Sequence, residues 1–243
     1  MPQPEKVALV TGANKGIGFE LARQLGLNGM TILLGARDMK LGEEAAHKLK
    51  SEGLDAHALH IDLNQLDTIN QAAKHIETEY GRLDVLINNA GIADPADGPP
   101  STANLQAVRR VFDTNLFGTI AVTQAMLPLV RRAPAGRIVN VSSGLGSLTL
   151  NGDPTWEFAQ VKRIGYNSSK AALNMLTVQL AYELRDTKIK VNSANPGFTA
   201  TDLNGHRGYQ TVEEGAMEAL RLALLDENGP TGGLFTRYGT DPW

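Results

Sequence analysis

Short apolar runs alternate with segments of helical period along nearly the whole chain, and this alternation limits the fold more than any other feature. Residues 7–10 (Val-Ala-Leu-Val) form a continuous apolar run closed by a glycine turn. That is the pattern of a strand buried on both faces of a parallel sheet. Residues 16–27 then place Ile17, Leu21 and Leu25 at helical spacing. Strand-like stretches recur at 31–34, 56–61, 85–87, 137–141 and 189–194, and helical ones at 41–49, 69–80, 105–130, 166–185 and 212–225. Strands alternating with helices imply right-handed βαβ units. The expectation is one α/β domain over residues 1–243, a doubly wound parallel sheet with helices on both faces. It should have about seven strands, the last near 234–236. Residues 93–101 and 144–165 lack a clear period and read as loops.

Composition excludes several function classes. The chain of 243 residues has a net charge of −3, and its Arg109–Arg110 and Arg131–Arg132 pairs are short, so no basic stripe for nucleic acid is present. There is no cysteine, which removes disulfides and thiolate metal sites. His57 and His60 sit at a strand spacing that points them to opposite faces, and the remaining histidines are scattered, so no metal is expected. The start of the chain carries two prolines and no apolar run, and residues 6–11 are too short for a signal or a membrane span. A cytoplasmic protein without a membrane partner is the default expectation.

The first strand runs into Thr11-Gly12-Ala13-Asn14-Lys15-Gly16-Ile17-Gly18, a glycine loop between a strand and a helix. Such a Rossmann-type turn lets the backbone approach a pyrophosphate, and the helix N-terminus offers free N–H groups to it. An NAD-preferring site has an acid at the end of the second strand. Here that stretch reads Leu34-Gly35-Ala36-Arg37-Asp38, so Arg37, with Lys15 nearby, is placed to face a 2′-phosphate and favour NADP. Asp62-Leu63 closes the third strand, where a carboxylate can take the adenine amino group or cap a helix. Asn88-Asn89-Ala90-Gly91 closes the fourth on the same edge, with small residues that leave room for adenosine and amides that can tie strands together.

Tyr166 and Lys170 lie one helical turn apart and share a helix face. An adjacent ammonium and a nicotinamide cation should both lower the tyrosine pKa toward the range useful for general acid–base work. Ser143 ends the buried run at 137–141 on the same sheet edge and can hold a carbonyl oxygen near Tyr166. Asn115 lies inside a helical stretch, an unfavourable place that points to a kink.

Together these pieces resemble the short-chain dehydrogenase/reductase family: TGANKGIG at 11–18, Asp62, NNAG at 88–91, Asn115, VNVSS at 139–143, YNSSK at 166–170 and PGFTAT at 196–201. LGARDMKLGEEAAHKLKSEG and GRLDVLINNAGIA are similar to the NADPH carbonyl reductase branch. The resemblance implies a catalytic set in which Ser143 orients the carbonyl, Tyr166 donates a proton, Lys170 lowers its pKa and binds ribose, and Asn115 supports a proton relay. It implies NADP(H) contacts from Gly12, Asn14, Lys15, Gly16, Ile17, Gly18, Arg37, Asp62, Leu63, Asn89, Ala90, Gly91, Tyr166 and Lys170. Pro196, Gly197, Thr199 and Thr201 would complete the cofactor site near the nicotinamide, and the pro-S hydride would be transferred. The implied reaction is reduction of a small ketone or aldehyde. A 3-oxoacyl-thioester reductase and a non-catalytic NADP-binding regulator are the alternatives. An insertion around residues 153–164 departs from the common pattern. In the family that region lies near the helices of tetramer assembly, so a monomer or dimer is expected, with Trp156 and Phe158 as walls of the substrate pocket.

Overall fold

The computed structural model describes residues 6–243; the proline-bearing start at 1–5 lies outside the described residues. Its first strand, β1 (Val7–Thr11), leads into helix α1 (Gly16–Leu27), followed by β2 (Thr31–Ala36) and α2 (Met39–Ser51). Next come β3 (Ala56–His60), α3 (Leu66–Tyr80) and β4 (Val85–Asn88). The second half holds α4 (Leu105–Phe112), α5 (Thr119–Val130), β5 (Arg137–Val141), the short α6 (Leu148–Gly152) and the long α7 (Ile164–Glu183). It ends with β6 (Lys190–Ala194), α8 (Val212–Ala223), β7 (Leu234–Thr236) and β8 (Gly239–Asp241).

Among the described residues the strands form one sheet in the order β3-β2-β1-β4-β5-β6-β7-β8. All pairings are parallel except the final β7–β8 hairpin. The sheet therefore has eight strands where about seven were expected. The extra one is a three-residue edge strand, too short to leave a pattern.

Each central strand feeds two cores, as its period of two requires. Ala8, Val10, Ile32, Leu34, Val85 and Ile87 pack with Leu21, Leu25, Leu49 and Leu222 on the α1, α2 and α8 side. Val7, Leu9, Leu33, Leu86 and Ile138 pack with Ile69, Ile76, Met126, Leu129 and Leu180 on the α3, α5 and α7 side. β1, β2, β4 and β5 are buried along their whole length, which is why apolar runs such as Val7-Ala8-Leu9-Val10 dominate them. No described helix is long and apolar enough to cross a membrane. The strand order reverses between β1 and β4, and a doubly wound sheet opens its ligand crevice at the carboxyl ends of the strands there.

Candidate active site

The glycine turn after β1 is shaped for a phosphate-bearing ligand. Gly16 has a left-handed backbone (φ 57°), and a Cβ placed there would meet only a Thr201 methyl at 3.8 Å. Its outer face is open. At Gly18 the opposite holds: a Cβ would meet Asn89 Nδ2 and the Gly12 carbonyl, so only glycine lets the turn close against β4. Helix α1 starts at Lys15 with no side-chain cap and no acid in its first turn. Its leading N–H groups and positive dipole end are thus left for an anion. Asn14 and Ile17 are half-buried in the same turn.

Arg37 leaves the end of β2 exposed and borders a groove of about 500 Å³ with Leu63, Asn64, Ile92 and Thr114. Asp38, beside it, caps α2 by accepting from Leu41 N. Lys15 has a partner that the sequence did not suggest. Its Nζ lies 2.5 Å from Asp202 Oδ2, whose other oxygen faces His206 Nε2 at 2.7 Å. This ion pair ties the glycine turn to the segment after β6. Asp62 is buried and accepts from Asn64 N and Gln65 Nε2. The residue that precedes α3 is Gln65, so Asp62 orders the approach to that helix without capping it.

The amides at the end of β4 bond to the scaffold. Asn89 Nδ2 donates to the Thr11 carbonyl at 2.8 Å and to the Gly12 carbonyl at 3.2 Å, while Ala90 N donates to Thr11 Oγ1. Asn88 Nδ2 donates to Asn140 Oδ1. Asn140 Nδ2 in turn donates to Thr177 Oγ1, which meets Ser193 Oγ. This buried chain crosses β4, β5 and β6 beneath the site and fixes their carboxyl ends relative to one another.

Tyr166 lies in the first turn of α7, and Lys170 follows one turn later. The Tyr166 hydroxyl faces Ser143, and Ser143 Oγ accepts from Leu145 N at 3.1 Å. Lys170 is buried; its Nζ donates to the Val141 carbonyl at 2.8 Å and sits 5.8 Å from the Tyr166 ring centre. Gly91 closes against this group, with room for a Cβ only 3.5 Å from Lys170 Nζ.

Burial lowers the Lys170 pKa to about 8. Burial also raises Tyr166 to about 12, against smaller opposing pulls from the Ser143 hydrogen bond and the Arg163 charge. The expected lowering of the tyrosine pKa is thus reversed in the protein by itself. Lys170 Nζ donates to a backbone carbonyl, and loss of hydration dominates the phenol. Tyr166 is held protonated, the state a proton donor needs.

Asn115 stands in a π-helical turn, Asp113–Gly118, between α4 and α5. Its Oδ1 accepts from Ile92 N at 2.8 Å, and its Nδ2 donates to the Ile92 carbonyl and to Ser169 Oγ. The widened turn lets one side chain join the loop after β4 to the face of α7 beside Lys170. Within the segment after β6, Pro196 and Gly197 flank the cleft that contains Ser143. Thr201 reaches the glycine turn. Thr199 turns inward instead: it is buried, and its hydroxyl donates to the Pro196 carbonyl.

Two residues absent from the sequence reading belong to the site. Asp97 Oδ1 accepts from Gly165 N at 2.9 Å and its Oδ2 from Tyr166 N at 2.8 Å. It thereby caps α7, whose own N-cap Arg163 supplies no capping side chain. That missing cap in the sequence, together with two aspartates at 93–101, was the available signal. Gln210 is 7% exposed and borders the cleft beside Gly197, with its Oε1 unpartnered. A buried amide oxygen without a donor fits a ligand that brings an N–H, and nothing local in the sequence marks it.

The open glycine turn, the uncapped α1 and the orphaned Gln210 oxygen together fit a dinucleotide laid along the strand ends. A family profile described as short chain dehydrogenase matches residues 6–211. The chain is 40% identical over 223 residues to the short-chain dehydrogenase anuI of Penicillium roqueforti, covering 89% of this chain and 88% of that protein. It is 34% identical over 283 residues to carbonyl reductase [NADPH] 1 of Mus musculus, covering 100% of each. Among solved structures, a short chain dehydrogenase of Shigella flexneri complexed with NADP superposes with a TM-score of 0.82 at 29% identity, covering 95% of this chain and 96% of that one. Fold, motif order and likeness over the full domain agree, and the chain belongs to the short-chain dehydrogenase/reductase family of oxidoreductases.

Proposed function

We propose that the protein reduces a ketone or aldehyde to the alcohol with NADPH. The observation that carries this reading is the placement of Tyr166 beside Ser143 and one turn from buried Lys170, whose Nζ lies 5.8 Å from the phenol ring centre, at the sheet edge that holds the glycine turn. When bound, NADPH supplies a hydride to the carbonyl carbon. Ser143 and Tyr166 direct their hydroxyls at the carbonyl oxygen, and Tyr166 gives it the proton that completes the alcohol. Lys170 holds a positive charge behind the phenol, which stabilises the phenolate left after proton loss. Asn115 locks the loop after β4 to α7, keeping Lys170 and Tyr166 in register.

Arg37 supports NADP over NAD. Its guanidinium is exposed at the end of β2, where no carboxylate from Gly35 or Ala36 competes for a ribose hydroxyl. The NADP in the Shigella structure and the NADPH in the mouse enzyme's name agree with this reading. The test is NADPH and NADH oxidation with a panel of ketones and aldehydes, with the alcohol product identified. NADPH should be strongly preferred. Arg37→Ala should lower kcat/KM for NADPH by about 10- to 100-fold, the scale of a charged hydrogen bond, while changing NADH little. Equal use of both cofactors by the wild type would remove the role given to Arg37.

A further inference from the structure

The cleft beside Ser143 has an unusual wall. Trp156, Phe158, Phe198 and Tyr209 stand in a row, each edge-to-face with the next at ring-centre distances of 5.5, 5.6 and 5.9 Å. All four border the same cavity of about 280 Å³, which reaches Ser143 at its inner end. Two come from the insertion before α7 and two from the segment after β6, so the row exists only because both segments fold over the carbonyl position. Rings in this arrangement offer apolar area at the inner end and negative π faces along the row.

The charges bordering the cavity are one-sided. Glu157, Glu214, Glu218 and Asp241 contribute carboxyl groups, and Arg237 is the cation among its lining residues. Three of the four carboxyls are engaged. Glu214 pairs with Arg237, Glu218 pairs with Arg221, and Asp241 accepts from Asn195 Nδ2. Glu157 differs. It is exposed, lies between Trp156 and Phe158 in sequence, and has no cationic partner among the described residues. Its neighbour across the cleft is the Tyr209 hydroxyl, which burial and the Glu157 charge together make harder to ionise. A carboxylate that meets a tyrosine hydroxyl and no cation, beside a row of aromatic rings, matches an organic cation and repels an anion.

We propose that the cleft selects carbonyl compounds that carry a flat apolar ring and an ammonium group, with the ring on Trp156, Phe158 and Phe198 and the cation at Tyr209 and Glu157. This rests on the reductase reading of the same site and names the substrate class for it. It also sets aside carbonyl substrates tethered to a phosphate or carboxylate, which would bring negative charge to Glu157.

The test is a matched series of aryl methyl ketones bearing at the para position a trimethylammoniomethyl group, its neutral neopentyl isostere, or a carboxylate. Steady-state kcat/KM with NADPH should favour the cation over the isostere by about tenfold, and the carboxylate should be poorest. In Glu157→Gln the cation-to-isostere ratio should fall toward one. Phe158→Ala should weaken all three ketones without altering that ratio. Equal kcat/KM for cation and isostere in the wild type, or a ratio unmoved by Glu157→Gln, would overturn the proposal. A separate binding measurement uses benzyltrimethylammonium, which has no carbonyl, and follows quenching of Trp156 fluorescence against a Trp156→Phe control. Saturable quenching weakened by Glu157→Gln, with no ketone reduced, would support the cation site and reject the reductase reading. Reduction without charge preference and without such quenching would reject the cation site alone.

Discussion

The cap that Asp97 places on α7 has a cost of removal that can be worked from the structure. Both carboxylate oxygens receive N–H donors from the first turn of the helix, at 2.8 and 2.9 Å, and these bonds are partly buried. The cap is also an anion at the positive end of a 20-residue helix with no acid in its own first turn. Losing a capping side chain costs roughly 0.5–2 kcal/mol, and charged bonds lie toward the upper end, so Asp97→Ala should destabilise by about 2 kcal/mol. For a chain of this size that is a fall in Tm of about 4–8 °C. Asp97→Asn keeps one acceptor and should lose about half as much. Because one bond is to the backbone of Tyr166 itself, kcat should fall more than KM rises. The assay is thermal unfolding by circular dichroism beside steady-state reduction. An Asp97→Ala protein with wild-type Tm would refute the capping argument, and one with lower Tm but unchanged kcat would refute the positioning role.

Two further outcomes are expected. Burial holds Lys170 at about 8 against an ordinary 10.5, so between those values the unfolded chain binds the extra proton, and this group's contribution to stability rises with pH across that window. Lys170→Met should therefore stabilise the cofactor-free protein at pH 7 by up to about 3 kcal/mol while abolishing reduction, with the gap to wild type closing above about pH 10; urea unfolding at pH 7 and pH 10 checks the sign. Sedimentation should show a monomer or dimer, because the insertion around 153–164 lies directly before α7, in the region the family uses for tetramer assembly; a stable tetramer at low concentration would contradict that.

Most of the fold is legible because the central strands are buried on both faces, leaving unbroken runs such as Val7-Ala8-Leu9-Val10 that only a covered parallel sheet explains. The helices that flank them announce themselves through their apolar stripes. What stayed hidden is either short or distant. α6 and β8 span five and three residues, below the length at which a period shows. The Asn115 anomaly marks a bend, but nothing local says that it is a π turn or that its amide reaches Ile92 and Ser169. The Lys15 partner Asp202 comes from 187 residues later in the chain. Asp97 acts through backbone groups 68 and 69 residues away, and the raised pKa of Tyr166 depends on desolvation that no spacing encodes.

The most direct test of the central claim is Tyr166→Phe, compared with wild type in both NADPH binding and ketone reduction. NADPH should bind with similar affinity by fluorescence titration, while kcat falls by about 100-fold or more, the scale of a lost general acid. Reduction at a near-normal rate by that variant would contradict the account, because the phenol would then not be the source of the proton.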